Sequence, residues 1–325
     1  MKTWIDFDAA PVFAIPLTDS VGGLVVCEGM LIEGPQGWGE FSPPADCDDR
    51  TAGRWLTAAI EVGTVGWPDP VRGRVPVAVT VPSVAPARAR QLIIDSGCRT
   101  AAVRVADRAD SLAGDIARLE AVRDVLGPSG AIRCDANGHW DVDTAAAAVP
   151  VLDRAAGGLE FVEQPCAGLD DVASLRRRVG VPIAVDQSVR DAPDPLRLAL
   201  ADAADIIVLT AAALGGVRRA LRVAEGCGLP CVVADEIHSS IGISGGLALA
   251  GVLAETGFAS TLGGACLLSG DVVSPGRSLI PDDGYLPVAP MPPAPDPDRL
   301  ERFGTSDPET VARWRGRLVS AQRYL

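Results

Sequence analysis

Three short segments of this chain end in acids of the kind that hold a hard cation: CDAN at 134–137, VEQP at 162–165 and VDQS at 185–188. Each follows an apolar, β-rich run, so Asp135, Glu163 and Asp186 occupy matching points of three successive units. One such acid alone reads as a surface or helix-capping residue; recurrence at the same point turns the reading to metal. Three carboxylate ligands that leave room for water suit Mg²⁺, with Mn²⁺ as a substitute, better than zinc. Asn137 lies two residues past Asp135 and on the same face by strand alternation, where it can orient a ligand or touch substrate. Lys2 is the only lysine among 325 residues, so no lysine stands beside these acids to serve as a base.

Elements that would bring the acids together recur from about residue 98. Strand-like runs fall at 101–106, 131–137, 159–165, 182–188, 205–210, 230–236 and 258–264. Helical stretches separate them, such as Leu112, Ile116, Leu119, Val122 and Leu126 at helical spacing and a segment over 215–226 opening GGVRRAL. Repeating βα units wound in one direction, without a Gly-rich phosphate loop, predict an α/β fold: a TIM-like (β/α)-barrel over 91–275, with all C-terminal strand ends on one face. Residues 1–90 read as an α+β capping domain, with alternating strands and Gly-rich turns in VVCEGMLIEGPQGWGEFSP and a helix over 54–65. The Pro-rich stretch after about 275 ends in a helix past Asp307, with Val311, Trp314 and Leu318 on one side. That tail, 276–325, is expected to complete the cap.

Composition narrows the partners. With net charge −13, a pI near 4.6 and no Lys/Arg-rich run, the chain is expected to bind no nucleic acid. Asp6 and Asp8 stand where a signal peptide needs basic residues, and no apolar stretch reaches the ~18 residues of a membrane span. A cytoplasmic location without membrane contact is expected, with monomer and homo-oligomer both open. Eight cysteines without a CxxC pair read as widely spaced, buried thiols of a reducing compartment.

The order of cap, barrel, DAN, EQP, a D-x-S strand, LGG and a late SSIG resembles the enolase superfamily in its muconate-lactonizing branch, and within it the actinobacterial type of o-succinylbenzoate synthase, the menaquinone-pathway dehydratase. Stretches carrying the resemblance include CRTAAVRVAD, RCDANGHWDVDTA, GGLEFVEQPC, VPIAVDQSVR and ADIIVLTAAALGGVRRAL. It implies an enolase-type barrel, a Mg²⁺-dependent lyase acting on a small carboxylate through a metal-stabilised enediolate, and metal ligation by Asp135, Glu163 and Asp186. It also implies substrate contacts at Asn137, Thr210, Glu236, Ser239 and Gly263.

The departures bear on mechanism. The Lys-x-Lys pair of the family falls on Ala102 and Arg104, and its second catalytic lysine falls on Thr210. Arginine keeps its proton above about pH 12, so Arg104 supplies charge rather than basicity. Gln187 stands where the family often has Glu, and the cap loop LTDSVGGLVV lacks the arginine and aromatic residues expected to hold succinylbenzoate. A replacement is offered by VVADEIHSSIG, where Asp235 and His238 are the expected acid/base groups, His238 the stronger because its ordinary pKa lies near neutrality. His139 is read as a loop residue. Two classes of function follow: a lyase with a non-lysine base, or a catalytically inactive, ligand-binding descendant. A racemase of N-acylamino acids is disfavoured, since it needs opposed bases.

Overall fold

The computed structural model describes residues 5–198, 200, 202–254 and 257–325; Lys2 lies outside the described residues. Strands β1 (Val12–Val21), β2 (Leu24–Gly34) and β3 (Gly37–Phe41) form an antiparallel sheet in that order. Val21 pairs with Leu24, leaving a two-residue turn of Gly22 and Gly23 at φ 55° and 88°. A turn this short matches the strand twist only with left-handed residues, which glycine adopts without a Cβ clash. Helix α1 (Asp49–Thr64) is capped by Asp48, which accepts from the Thr51 amide at 2.7 Å. It lies so close on β3 that a side chain at Gly39 would meet the Ala59 backbone.

The chain then runs through β4 (Arg74–Pro76), β5 (Ala78–Val81), α2 (Pro86–Ser96), β6 (Thr100–Arg104), α3 (Leu112–Leu126), β7 (Ala131–Asp135), α4 (Val142–Ala156), β8 (Val162–Glu163) and α5 (Leu169–Arg176). There follow β9 (Ile183–Val185), α6 (Gln187–Arg190), β10 (Ile206–Leu209), α7 (Val217–Cys227), β11 (Cys231–Val233) and α8 (Ser240–Val252). Strands β5 to β11 make one parallel sheet in chain order. It curls until its edges are bridged by a short segment. The Ser260 carbonyl accepts from Ala78 and its amide donates to Pro76, both at 2.8 Å, while the Thr261 amide donates to Val233 at 2.8 Å. Alternation sorts the side chains: Val103, Ile132, Val162, Ile183 and Ile207 pack under the helices, and Phe161, Ala184, Ile206, Val208 and Val232 form a separate cluster with Phe258 inside.

Two features depart from the sequence reading. The first parallel strand is β5, which the expected 90/91 boundary assigns to the cap. The last expected strand, 258–264, is reduced to bridging residues, because Gly263–Leu267 turns into a 3-10 helix.

Beyond the barrel, β12 (Tyr285–Pro287) pairs antiparallel with β4, and α9 (Pro297–Phe303) precedes α10 (Pro308–Gln322). Trp314, Leu318 and Ala321 of α10 share a core with Met30, Phe41 and Trp55, so the tail packs on the cap. All eight cysteines are free. The Cys227 and Cys231 sulfurs lie 3.9 Å apart, so these two are not widely spaced. No helix among the described residues is long and apolar enough to cross a membrane.

Arg133, fully buried, ties β7 to the closing segment. Its guanidinium donates to the Ala259 carbonyl at 3.0 Å, pairs with Glu160 at 2.9 Å and lies 4.7 Å over the Phe161 ring. Replacing it strands the Ala259 acceptor and leaves Glu160 unpaired. Arg133→Met should destabilise the fold by about 3–5 kcal/mol, read as a lower midpoint of denaturant unfolding; an unchanged midpoint would show that closure does not depend on it.

Candidate active site

Parallel pairing sets Arg104 opposite Asp135, Asp135 opposite Glu163, and Glu163 opposite Ala184, two residues before Asp186. All share the inward parity of their strands, as do Ala102 and Thr210, and all but Ala184 line one cavity of about 590 Å³ reached by residues of the cap. Arg104 hydrogen-bonds Asp135 Oδ2 and lies 3.4 Å from Asp107. Glu163 and Asp186 are each 8% exposed. Burial, reinforced by repulsion from Asp135 and Asp186, pushes the Glu163 carboxyl well above the usual range against the pull of Arg133 and Arg104. Burial likewise raises Asp186 to about 7, although Arg190, 3.7 Å away, opposes it.

The donor chemistry, rather than the spacing of its oxygens, suits a divalent cation. Asp135, Glu163 and Asp186 offer carboxylate oxygens, the ligands a hard ion takes, and Asp186 Oδ1 is buried without a hydrogen-bond partner. Among the described residues no three acids, histidines or cysteines close on a single point as ligands do, and Asp135 Oδ2 is bound by Arg104 instead.

The backbone is strained at corresponding points of this rim. Ala106, Asn137 and Gln164, just past β6, β7 and β8, have φ of 64°, 50° and 36°. Gln164 is fixed by its side chain, which donates to Cys166 O and Ser188 Oγ at 2.8 Å and accepts from the Asp186 and Ser188 amides at 3.1 Å. It thereby sets where Asp186 stands. Asn137 Oδ1 accepts from the side-chain Nε2 of Gln187.

At the end of β11 the three titratable groups differ sharply in exposure. The side chains of Asp235 and His238 are 1% and 5% exposed, that of Glu236 43%. His238 Nδ1 lies 2.9 Å from Asp235 Oδ1 and Nε2 lies 3.4 Å from Ser42 O, while the ring meets Trp55 edge-on at 5.1 Å. Burial works against its charge but is outweighed by Asp235, Glu40 and Glu236, which hold its pKa up to about 9. Near neutrality the ring is an imidazolium, able to give a proton rather than take one. Glu236 pairs with Arg190 at 2.5 Å.

The structure thus gathers Asp135, Glu163, Asp186, Arg104, Asn137, Thr210, Asp235, Glu236 and His238 around one cavity. Ser239 and Gly263 do not line it. Ser239 is fully buried, caps α8 and donates to Glu40, whereas Gly263 abuts the backbone of Ala78 and Val79. Sequence reasoning missed Arg190, Glu40, Arg313, Trp314 and Arg317. Arg190 stands four residues past Asp186 on α6, a spacing that signals a pair; the others come from the cap or α10 and carry no local motif.

The chain matches the Enolase C-terminal domain-like family over residues 85–292 and the Enolase N-terminal domain-like family over residues 12–63. It is 49% identical over 310 residues to an o-succinylbenzoate synthase of Thermobifida fusca, covering 95% of each chain. An o-succinylbenzoate synthase of Mycobacterium ulcerans is 43% identical over 320 residues, covering 98% of this chain and 94% of that one. Muconate lactonizing enzyme from Pseudomonas fluorescens superposes with a TM-score of 0.78 at 20% identity, over 93% of this chain and 98% of its own. The L-Ala-D/L-Glu epimerase from Bacillus subtilis gives 0.74 at 22%, over 91% and 98%. At that identity the two structures speak for the fold alone.

Because His238 titrates near 9 when folded against 6.5 ordinarily, its charge contributes stability that is fully present below pH 6.5 and lost as pH rises through 9, up to about 3 kcal/mol. The thermal midpoint should fall across that window in the wild type and show a flatter course in His238→Gln. Identical pH profiles would mean that the ring is not held charged.

Proposed function

The chain belongs to the enolase superfamily, and from that premise we propose that it is an o-succinylbenzoate synthase-like carbon–oxygen lyase. It would eliminate water from a small carboxylate substrate, with a divalent metal ion and a base other than lysine, as a step toward menaquinone. What supports this reading is the row of Asp135, Glu163 and Asp186 at adjacent strand ends within one capped cavity. Those three residues would hold Mg²⁺ or Mn²⁺, which when bound supplies Lewis acidity toward the substrate carboxylate. Arg104 adds a fixed positive charge, and Thr210 offers a hydroxyl donor. Glu236, the one acid at the end of β11 with a well-exposed carboxylate, takes the α-proton, a task carboxylates perform in other enzymes. His238 serves as a buried cation that holds Asp235 and the strand end in place.

A second reading, a ligand-binding descendant without turnover, is favoured by Ala102 and Thr210. These two residues face inward at positions where the resemblance puts lysines of the family, and the described residues contain no lysine.

Calorimetric titration with Mg²⁺ should show binding to the wild type that is at least ~10-fold weaker in Asp186→Asn and stronger in Arg104→Gln, where Asp135 is released. Equal affinity in wild type and Asp186→Asn would remove the assigned site. On the cyclohexadiene precursor of o-succinylbenzoate, turnover should fall ~10²–10⁴-fold below an ordinary ~10 s⁻¹, for want of the lysine base. Glu236→Gln should abolish what remains. A Glu236→Gln variant with undiminished kcat moves the base elsewhere, and no exchange of a substrate α-proton into D₂O by the wild type hands the case to the binding reading.

A further inference from the structure

One wall of the cavity is used neither by the proposed metal ligands nor by the proposed base. It is a face of α10. Arg313 and Arg317 stand one turn apart and flank Trp314; both guanidinium carbons lie 5.8 Å from that ring's centroid, and all three residues line the cavity that holds Asp135. Trp314 is buried and set edge-on against Phe41 at 6.1 Å, which fixes the platform beneath the two cations.

The two arginines differ in how their charge is answered. Arg313 pairs with Glu28 at 2.6 Å. Arg317 donates to the carbonyls of Pro44 and Ala45 and reaches Cys47 Sγ at 3.1 Å, and among the described residues it forms no ion pair. Carbonyl acceptors orient a guanidinium without neutralising it. A cation fixed in direction, with its charge unmatched, beside a cavity whose other wall is acidic, is suited to bind an anion.

From this geometry we infer that Arg317, assisted by Arg313, is the specificity subsite for a second carboxylate of the substrate. The inference rests on the lyase reading above and deepens it: with one carboxylate of the substrate toward Asp135, Glu163 and Asp186, the other is held by α10.

The test is calorimetry on the full chain with Mg²⁺, using o-succinylbenzoate and, separately, succinate. Binding of product needs no turnover, so it stands apart from the question of the base. Arg317→Gln should weaken both ligands by about tenfold or more, the loss of one charge-assisted contact, and Arg317→Lys should restore most of that loss. If the wild type binds o-succinylbenzoate and Arg317→Gln binds it equally well, the subsite is overturned while the lyase reading stands. If the wild type binds succinate in an Arg317-dependent way but not o-succinylbenzoate, the subsite stands and the lyase reading falls. Equal losses in Arg317→Gln and Arg317→Lys mean that Arg317 only anchors the 43–47 loop, and binding of neither ligand by the wild type removes the subsite altogether.

Discussion

Acids on neighbouring parallel strands cannot avoid one another. Adjacent strands run about 4.8 Å apart, and two like charges at that distance cost about 3–4 kcal/mol even at an effective dielectric near 20. The register that sets Asp135 beside Glu163 imposes this repulsion, and the same register sets Arg104 beside Asp135 as a partial remedy. Arg190 performs the same service for Asp186 and Glu236, and Arg133 lies below Glu163. A metal ion would therefore enter a site already furnished with cations, and would have to compete with Arg104 for Asp135. Arg104 brings to that site a permanent charge that no pH near neutrality removes.

The cap is joined to this arrangement by polar contacts as well as by apolar packing. Glu40 of β3 accepts from Ser42 and from Ser239 at the start of α8, and it adds its charge to the set that keeps His238 protonated. From α1, Arg54 donates to the carbonyls of Arg190 and Ala192 at 2.8 and 2.9 Å, gripping the loop that follows Asp186. Buried networks of this kind specify one docking geometry, because a shifted cap would leave their members without partners. The position of the cap and the position of the acids are consequently one problem rather than two.

The three acids were legible because repetition marks them: each closes an apolar run, and the barrel does the rest. Helix α3 was legible from the spacing of Leu112, Ile116 and Leu119. Strand β5 was not, since Ala78–Val81 is four residues long and bounded by Pro76 and Pro82, which reads as part of an irregular cap. Asp235, Glu236 and His238 were legible as a group, but their division into buried and exposed members was not. Burial there is set by Trp55 and Ser42, residues that lie far away in the chain. The same holds for Arg313 and Arg317: the helix could be read from Val311, Trp314 and Leu318, but nothing local says what its other side faces.

Trp314 and its flanking arginines line a chamber together with the β1–β2 turn and the 42–46 loop, so the enclosure is made from segments separated by some 270 positions, as in the Arg317–Pro44 contact. A polypeptide leaving the ribosome exposes its cap first, its barrel next and α10 later. Joining such distant ends adds little entropic cost over joining nearer ones, because closure entropy grows only with the logarithm of length. A chain halted before α10 would hold every acid of the barrel and still lack the wall made by Arg313, Trp314 and Arg317.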